Sequence, residues 1–142
     1  MRLQLDVVAE PQFPYTDVLL LGATGFVGSY LLHELLEQTS AKLHMIVRPG
    51  QVPVWERLVA SHRRFFPDVD LDKHQERLNV VAGDVKQPRF GLSHAEYQRL
   101  AEQVDAICNC AGRVDHYGDI EDFRASNVAP VRQPTPKNHW RR

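Results

Sequence analysis

The chain has 142 residues, 43% of them hydrophobic and 25% charged, with 17 basic side chains against 18 acidic ones. That is room for one domain with one buried core, and a net charge of -1 gives no electrostatic footprint for nucleic acid or a membrane surface. No apolar run nears the ~20 residues of a membrane span, the first residues lack a signal peptide's apolar stretch, and two cysteines, Cys108 and Cys110, make no disulfide framework, so a cytoplasmic location is expected.

Residues 1–16 carry Pro11 and Pro14 without a sustained period and read as a leader or linker. From Asp17 the pattern sharpens. Val18-Leu19-Leu20-Leu21 is a continuous apolar run, as expected of a strand covered on both faces in a parallel sheet. After Gly22–Gly28, the apolar positions Val27, Leu31, Leu32, Leu35 and Leu36 recur at helical spacing, with His33, Glu34 and Glu37 opposite; this helix is expected to end near Thr39-Ser40. Leu43–Val47 reads as a second strand, stopped by Arg48-Pro49-Gly50.

Pro53 suits the first turn of a helix reaching about Phe65, with Leu58 and Phe65 inward and His62-Arg63-Arg64 as its solvated end. A polar connection over 68–77 leads to a third strand, Leu78–Ala82, closed by Gly83-Asp84. Ser93-His-Ala-Glu96 is a capping box that opens a helix carrying Tyr97, Leu100 and Ala101 inward. Asp105–Cys110 reads as a fourth strand, and Asp119 as the cap of a helix through Phe123 to about Val128. Pro130, Pro134 and Pro136, with four basic residues and no acidic one, mark 130–142 as a disordered basic tail.

Four strand–helix alternations imply right-handed crossovers and a parallel sheet. The expected fold is a Rossmann-like three-layer α/β/α half-domain over 17–129, with about four parallel strands in order 3-2-1-4. Gly22, Gly25 and Gly28 lie between a buried strand and a helix. The first permits the tight turn, the second lets backbone approach a pyrophosphate, and the third lets helix pack closely on strand. The helix N-terminus then offers unpaired N–H groups and a positive dipole end.

Arg48 stands after the second strand, where NAD-binding domains usually carry an acidic residue for the ribose hydroxyls. A guanidinium there suits a 2′-phosphate, which favours NADP; the alternative is a solvated surface arginine. Asp84, with Val85 beside it, ends the third strand near the expected adenine site. Its carboxylate either accepts from the adenine amino group or caps a turn. Cys108 and Cys110 share one face of their strand and lack further ligands at metal-binding spacing, so no metal is expected. Asp115-His116-Tyr117 lacks a nucleophile that would make it a hydrolase site.

Taken together, Gly22-Ala-Thr-Gly-Phe-Val-Gly28, Val47-Arg48-Pro49, Gly83-Asp84, Gly91-Leu-Ser93, Val104-Asp105, Asn109-Cys-Ala-Gly112 and Asn127-Val128 resemble the extended short-chain dehydrogenase/reductases. More narrowly they resemble the thioester reductase domains of nonribosomal peptide and polyketide synthases and carboxylic acid reductases, with fatty acyl-CoA reductases sharing the pattern. The resemblance spans residues 17–129. It implies NADPH-dependent reduction of an acyl thioester, held on an acyl carrier protein or coenzyme A, to an aldehyde or alcohol. By that resemblance the cofactor-binding set is Gly22, Ala23, Thr24, Gly25, Phe26, Val27, Gly28, Arg48, Asp84, Val85, Asn109, Ala111 and Gly112. Asn127 matches an asparagine that organises a catalytic water and lysine in the wider superfamily.

Three positions depart from the family. Leu21 replaces a threonine before the first glycine, and Pro130-Val131 stands where the family has a glycine-threonine pair and a continuing helix. The family's chemistry also needs a tyrosine four residues before a lysine, the tyrosine donating a proton to the developing oxyanion. Four residues after Tyr15, Tyr30, Tyr97 and Tyr117 come Leu19, Glu34, Ala101 and Glu121. The chain is therefore expected to be the NADPH-binding first part of such a reductase, cut before the catalytic half and inactive alone. Two other readings stand beside it: a non-catalytic dinucleotide-binding regulatory module, and a non-functional truncated gene product.

Overall fold

The computed structural model describes residues 13–115 and 117–132. Strands β1 (Asp17–Leu21), β2 (Lys42–Val47), β3 (Leu78–Ala82) and β4 (Ala106–Asn109) form one parallel sheet in the order β3-β2-β1-β4. Helices α1 (Phe26–Gln38), α2 (Val54–Arg63) and α3 (His94–Gln103) make the crossovers. The parallel order expected from the alternation is the order observed.

Strand periodicity divides the core between the two faces. Val18, Leu20, Leu43 and Met45 face α1 and α2, against Leu32, Leu35, Leu36 and Leu58. Leu19, Leu21 and Ile46 face the other way, against Phe90, Leu92 and Leu100. Both central strands are covered on both sides, so neither alternates in sequence. β4 does alternate between half-buried and exposed, and Ile107 is 38% exposed.

Polar groups pin the ends of these elements. The capping box at α3 forms as expected, Ser93 accepting from the Glu96 N–H and the Glu96 carboxylate accepting from the Ser93 N–H. Asp105 accepts from the backbone N–H groups of Thr16 and Asp17 and from the Thr16 hydroxyl, clipping the start of β1 to the start of β4. Burial pushes the Asp105 carboxyl up, but these hydrogen bonds outweigh it and hold it below the usual carboxylate range. Arg77 ends a 3-10 turn, Leu71–Arg77, and donates to the carbonyls of Leu35, Leu36, Thr39 and Ala41 at 2.7–3.3 Å. It thereby satisfies the orphan carbonyls at the end of α1, which has no basic residue in its own last turn.

The structure corrects several expectations. Val27 is 61% exposed, on the outer side of α1 with Phe26 and Tyr30. Phe65 packs edge-on against Phe26 instead of entering the core. His62 is buried, not solvated, because the chain turning out of α2 lays Phe66 between it and His33, with ring centroids 4.8 and 4.1 Å away. The connection over 68–77 contains the 3-10 turn, whose Leu71 is buried in the main core.

The domain end also differs. Asp119 caps the fourth helix as expected, accepting from the Glu121 and Asp122 N–H groups. The helical run then passes the proline expected to stop it: α4 (Ile120–Phe123), a π turn (Arg124–Val128) and α5 (Ala129–Arg132) follow without a break. In the π turn the Ala129 N–H bonds the Arg124 carbonyl, five residues back. This widened turn lies just before Pro130, where a missing N–H and a ring clash would otherwise break the helix. Pro130 itself is buried. The expected leader up to residue 12, His116 and the expected tail from 133 lie outside the described residues.

Candidate functional site

At the end of β1 the chain turns through Gly22, whose φ of 81° lies in the left-handed region. A Cβ there would stand 2.6 Å from the Ala111 nitrogen, so glycine also lets the segment after β4 pass close by. A Cβ on Gly28 would stand 2.0 Å from the Gly22 carbonyl oxygen, which brings α1 onto the strand end. Gly25 differs from both. A Cβ there would meet only the Gly22 oxygen, at 3.3 Å, and would otherwise project into open space.

Gly25 is the N-cap of α1 and brings no capping side chain, and the first turn carries no acidic residue. The loop is braced from within. The Gly25 N–H donates to the Gly22 carbonyl at 2.9 Å, and buried Ser29 donates its hydroxyl to the Ala23 carbonyl at 3.1 Å. The N–H groups of Phe26, Val27 and Gly28 therefore sit at the positive end of a 13-residue helix with no intrahelical acceptor. Those donors, the absent carboxylate and the open side of Gly25 together fit a diphosphate. Ala23 is buried in the core, so only its backbone faces the loop, while Thr24 is half-buried.

The remaining candidates gather at the same C-terminal edge of the sheet. The Cys110 N–H donates to the Leu21 carbonyl at 2.9 Å, and Asn109 Oδ1 accepts from the Ala111 N–H at 3.0 Å. Asn109, Ala111 and Gly112 thus run beside the glycine turn, at the point where strand order reverses between β1 and β4. The Gly83 N–H donates to the Val47 carbonyl at 3.0 Å, which sets Asp84 beside the end of β2. Asp84 Oδ1 accepts from the Lys86 N–H at 2.9 Å, so the turn-capping role is seen. Val85 packs against the second face of the core.

The turn after Asp84 is held in an unusual backbone. Arg89 and Phe90 have φ of 53° and 57°, and the Phe90 carbonyl accepts from the Asp84 N–H at 2.8 Å. Left-handed backbone at two non-glycine residues is costly; burial of Phe90 and Leu92 against Leu21 and Ile46 holds it there.

Arg48 is exposed just beyond β2, and its carbonyl accepts from Arg57 Nη1 at 3.0 Å. Asn127 lies across the edge from the glycine loop. Its side chain accepts from the Arg113 N–H at 2.7 Å and donates to the Arg113 carbonyl at 3.1 Å, tying the π turn to the segment after β4. Arg113 also pairs with Asp115 and Asp122. Cys108 and Cys110 face the α1 side of the core, where burial pushes both thiols up and keeps them protonated.

Sequence reasoning missed Ser29, Arg57 and Arg77. Ser29 and Arg57 reach back six and nine residues, and Arg77 bonds carbonyls 36 to 42 residues before it. No motif spacing announces such contacts. Among the described residues no helix is long and apolar enough to cross a membrane, and no three His, Cys, Asp or Glu side chains are placed to hold a metal ion.

Residues 20–134 match the NAD-binding family described as "Male sterility protein". Among individual proteins the chain is similar to glycine betaine reductase ATRR of Emericella nidulans, 36% identical over 82% of this chain, and to isonitrile lipopeptide synthase of Mycobacterium tuberculosis, 38% identical over 79%. It spans only 9% and 5% of those two proteins. Among solved structures it resembles the terminal R domain of the myxalamid PKS-NRPS pathway, with a TM-score of 0.76 and 34% identity, over 84% of this chain and 30% of that one. A thiolation-reductase di-domain of an archaeal nonribosomal peptide synthetase gives a TM-score of 0.70 and 27% identity, over 82% of this chain and 30% of that one.

Proposed function

Because the chain belongs to the NAD-binding family described as "Male sterility protein", we propose that it is the NADPH-binding portion of a reductase that converts an acyl thioester, held on a carrier protein or coenzyme A, to an aldehyde or alcohol. The observation that carries this reading is the uncapped, carboxylate-free N-terminus of α1 opening beside Gly25, with Arg48 at the end of the neighbouring strand. The α1 amides and the Gly22–Gly25 turn hold the diphosphate. Arg48 takes the 2′-phosphate, and the free oxygen of Asp84 meets the adenine amino group. Asn109 and Gly112 border the path toward the nicotinamide. When bound, the reduced cofactor supplies the hydride. The relatives named above, synthases and their reductase domains, support a carrier-bound thioester as the substrate class.

What this chain does not place beside that path is a proton donor of the family kind. None of its tyrosines precedes a lysine by four residues, and the Asn127 amide is engaged with the Arg113 backbone. We infer that the chain alone binds the cofactor without turning over a thioester. The same observation favours the second reading, a dinucleotide-binding regulatory module. The test is to mix the full chain with NADPH and an acyl-coenzyme A and follow both melting temperature and absorbance of the reduced cofactor. A raised melting temperature with no oxidation is expected. Sustained oxidation would refute the inactivity, and no shift at millimolar NADPH would refute the binding.

A further inference from the structure

The turn after β3 holds three consecutive residues in the left-handed region: Arg89 with φ of 53°, Phe90 with 57° and Gly91 with 72°. Glycine accepts that backbone without strain, but arginine and phenylalanine do not. Such residues visit it singly, and a run persists only where surrounding contacts over-determine it. Those contacts converge on one side chain. Phe90 is 6% exposed, packs in the core of the second sheet face, and has its ring 6.0 Å from that of Tyr97.

What the strained pair holds in place is Asp84. The Asp84 carbonyl accepts from the Gln87 N–H at 2.9 Å, the Gln87 carbonyl from the Phe90 N–H at 2.9 Å, and the Phe90 carbonyl from the Asp84 N–H at 2.8 Å. Three hydrogen bonds thus close a backbone ring from 84 to 90. Gly83 lets that ring press on the end of the sheet, since a Cβ there would stand 2.5 Å from the Phe90 carbonyl oxygen and 2.8 Å from Ile46 Cγ2. One carboxylate oxygen of Asp84 is used inside the ring, accepting from the Lys86 N–H at 2.9 Å. The other accepts no hydrogen bond among the described residues.

We propose that Phe90 is the positioning residue for adenine recognition: its burial holds the left-handed turn, and the turn aims the free oxygen of Asp84 at the adenine 6-amino group. This inference rests on the adenine contact proposed above for Asp84 and deepens it. A carboxylate tells an amino group from a hydrogen atom only while it is held within hydrogen-bond reach of that position. When the turn relaxes, Asp84 stays at the site but its oxygen loses its single direction, so the base is bound without being read.

The experiment titrates the full chain by calorimetry with two probes, NADP+ and its analogue carrying hydrogen in place of the adenine 6-amino group, and reads the ratio of the two affinities. The wild type is expected to prefer NADP+ by about tenfold. Arg89 is exposed and in no ion pair among the described residues, so it can be replaced without touching the core. Arg89→Val resists left-handed backbone and should cut the preference to about threefold or less. Arg89→Gly accepts that backbone and should keep the full preference. Both variants lose the same charge, so their difference reports the backbone alone. Phe90→Ala should bring the two affinities close to equal while NADP+ still binds, and Phe90→Leu, which refills most of the volume, should regain part of the preference. A wild-type ratio in both Arg89→Val and Phe90→Ala overturns the proposal, as does an equal loss of both probes, the mark of a merely structural role. If Asp84→Ala abolishes the preference while the turn variants keep it, only this inference fails. If the wild type shows no preference, the adenine contact of Asp84 fails with it.

Discussion

The two ends of the sheet's C-terminal edge are built in opposite ways. On one side β1, α1 and β2 form the most buried part of the described residues, and the glycine loop is fixed by backbone contacts that leave no space for a methyl group at Gly22 or Gly28. On the other side, β4 alternates between half-buried and exposed, and the segment after it is tied down by Asn109, Asn127 and charged pairs at the surface. The difference teaches where each proposed role would be stored: the loop proposed to hold phosphate is part of the packing itself, whereas the side after β4 is held by polar contacts that substitution can remove without unfolding the domain.

The sharpest way to break this contrast is Gly28→Ala. Its Cβ would fall 2.0 Å from the Gly22 carbonyl oxygen, where backbone cannot give way. We expect a loss of about 3 kcal/mol or more in urea-monitored stability, and loss of dinucleotide binding with it. A stable, binding-competent Gly28→Ala variant would show that the loop is not the rigid element described here.

The next effect comes from His62, and it sharpens the contrast by asking whether the rigid side depends on a neutral imidazole. Burial, then the charges of His33 and His74, hold His62 below the ordinary histidine value. As pH falls through about 6.5, the unfolded chain takes up a proton that the folded chain refuses. Stability should therefore drop on acidification from about pH 7.5 to 5.5, and His62→Phe should flatten that slope while keeping the stack on Phe66. An unchanged slope in His62→Phe would place the titrating group elsewhere.

The smallest effect is expected on the other side. Asn127→Ala removes both hydrogen bonds to the Arg113 backbone but leaves those groups near water. We expect a cost of about 1 kcal/mol or less, faster amide exchange at Arg113, and no change in dinucleotide affinity. A large loss of affinity would mean that the two sides are coupled more tightly than their contacts indicate.

Much of the fold was legible in the sequence where local and global signals agree. The apolar runs of β1 and β2, the Ser93–Glu96 box and the Asp119 cap each rest on residues within a few positions of one another, and each appears where the pattern places it. The glycine turn was legible for the same reason. Buried His62, outward Val27 and the passage through Pro130 were not, because each depends on what lies across space: the Phe66 ring, the aromatic face of α1, and a π turn. Arg57 escaped notice because one helical arginine reads like any other until its acceptor is seen.

The central claim is that the free amides at the start of α1 receive a diphosphate. It is tested most directly by recording the amide spectrum of the full chain, labelled with nitrogen-15, while NADP+ is added. The account predicts that the Phe26, Val27 and Gly28 signals move first and furthest, together with that of Arg48, while those of 120–132 stay nearly still. Saturation that leaves the α1 amides unmoved, or that moves only the 120–132 segment, would contradict it.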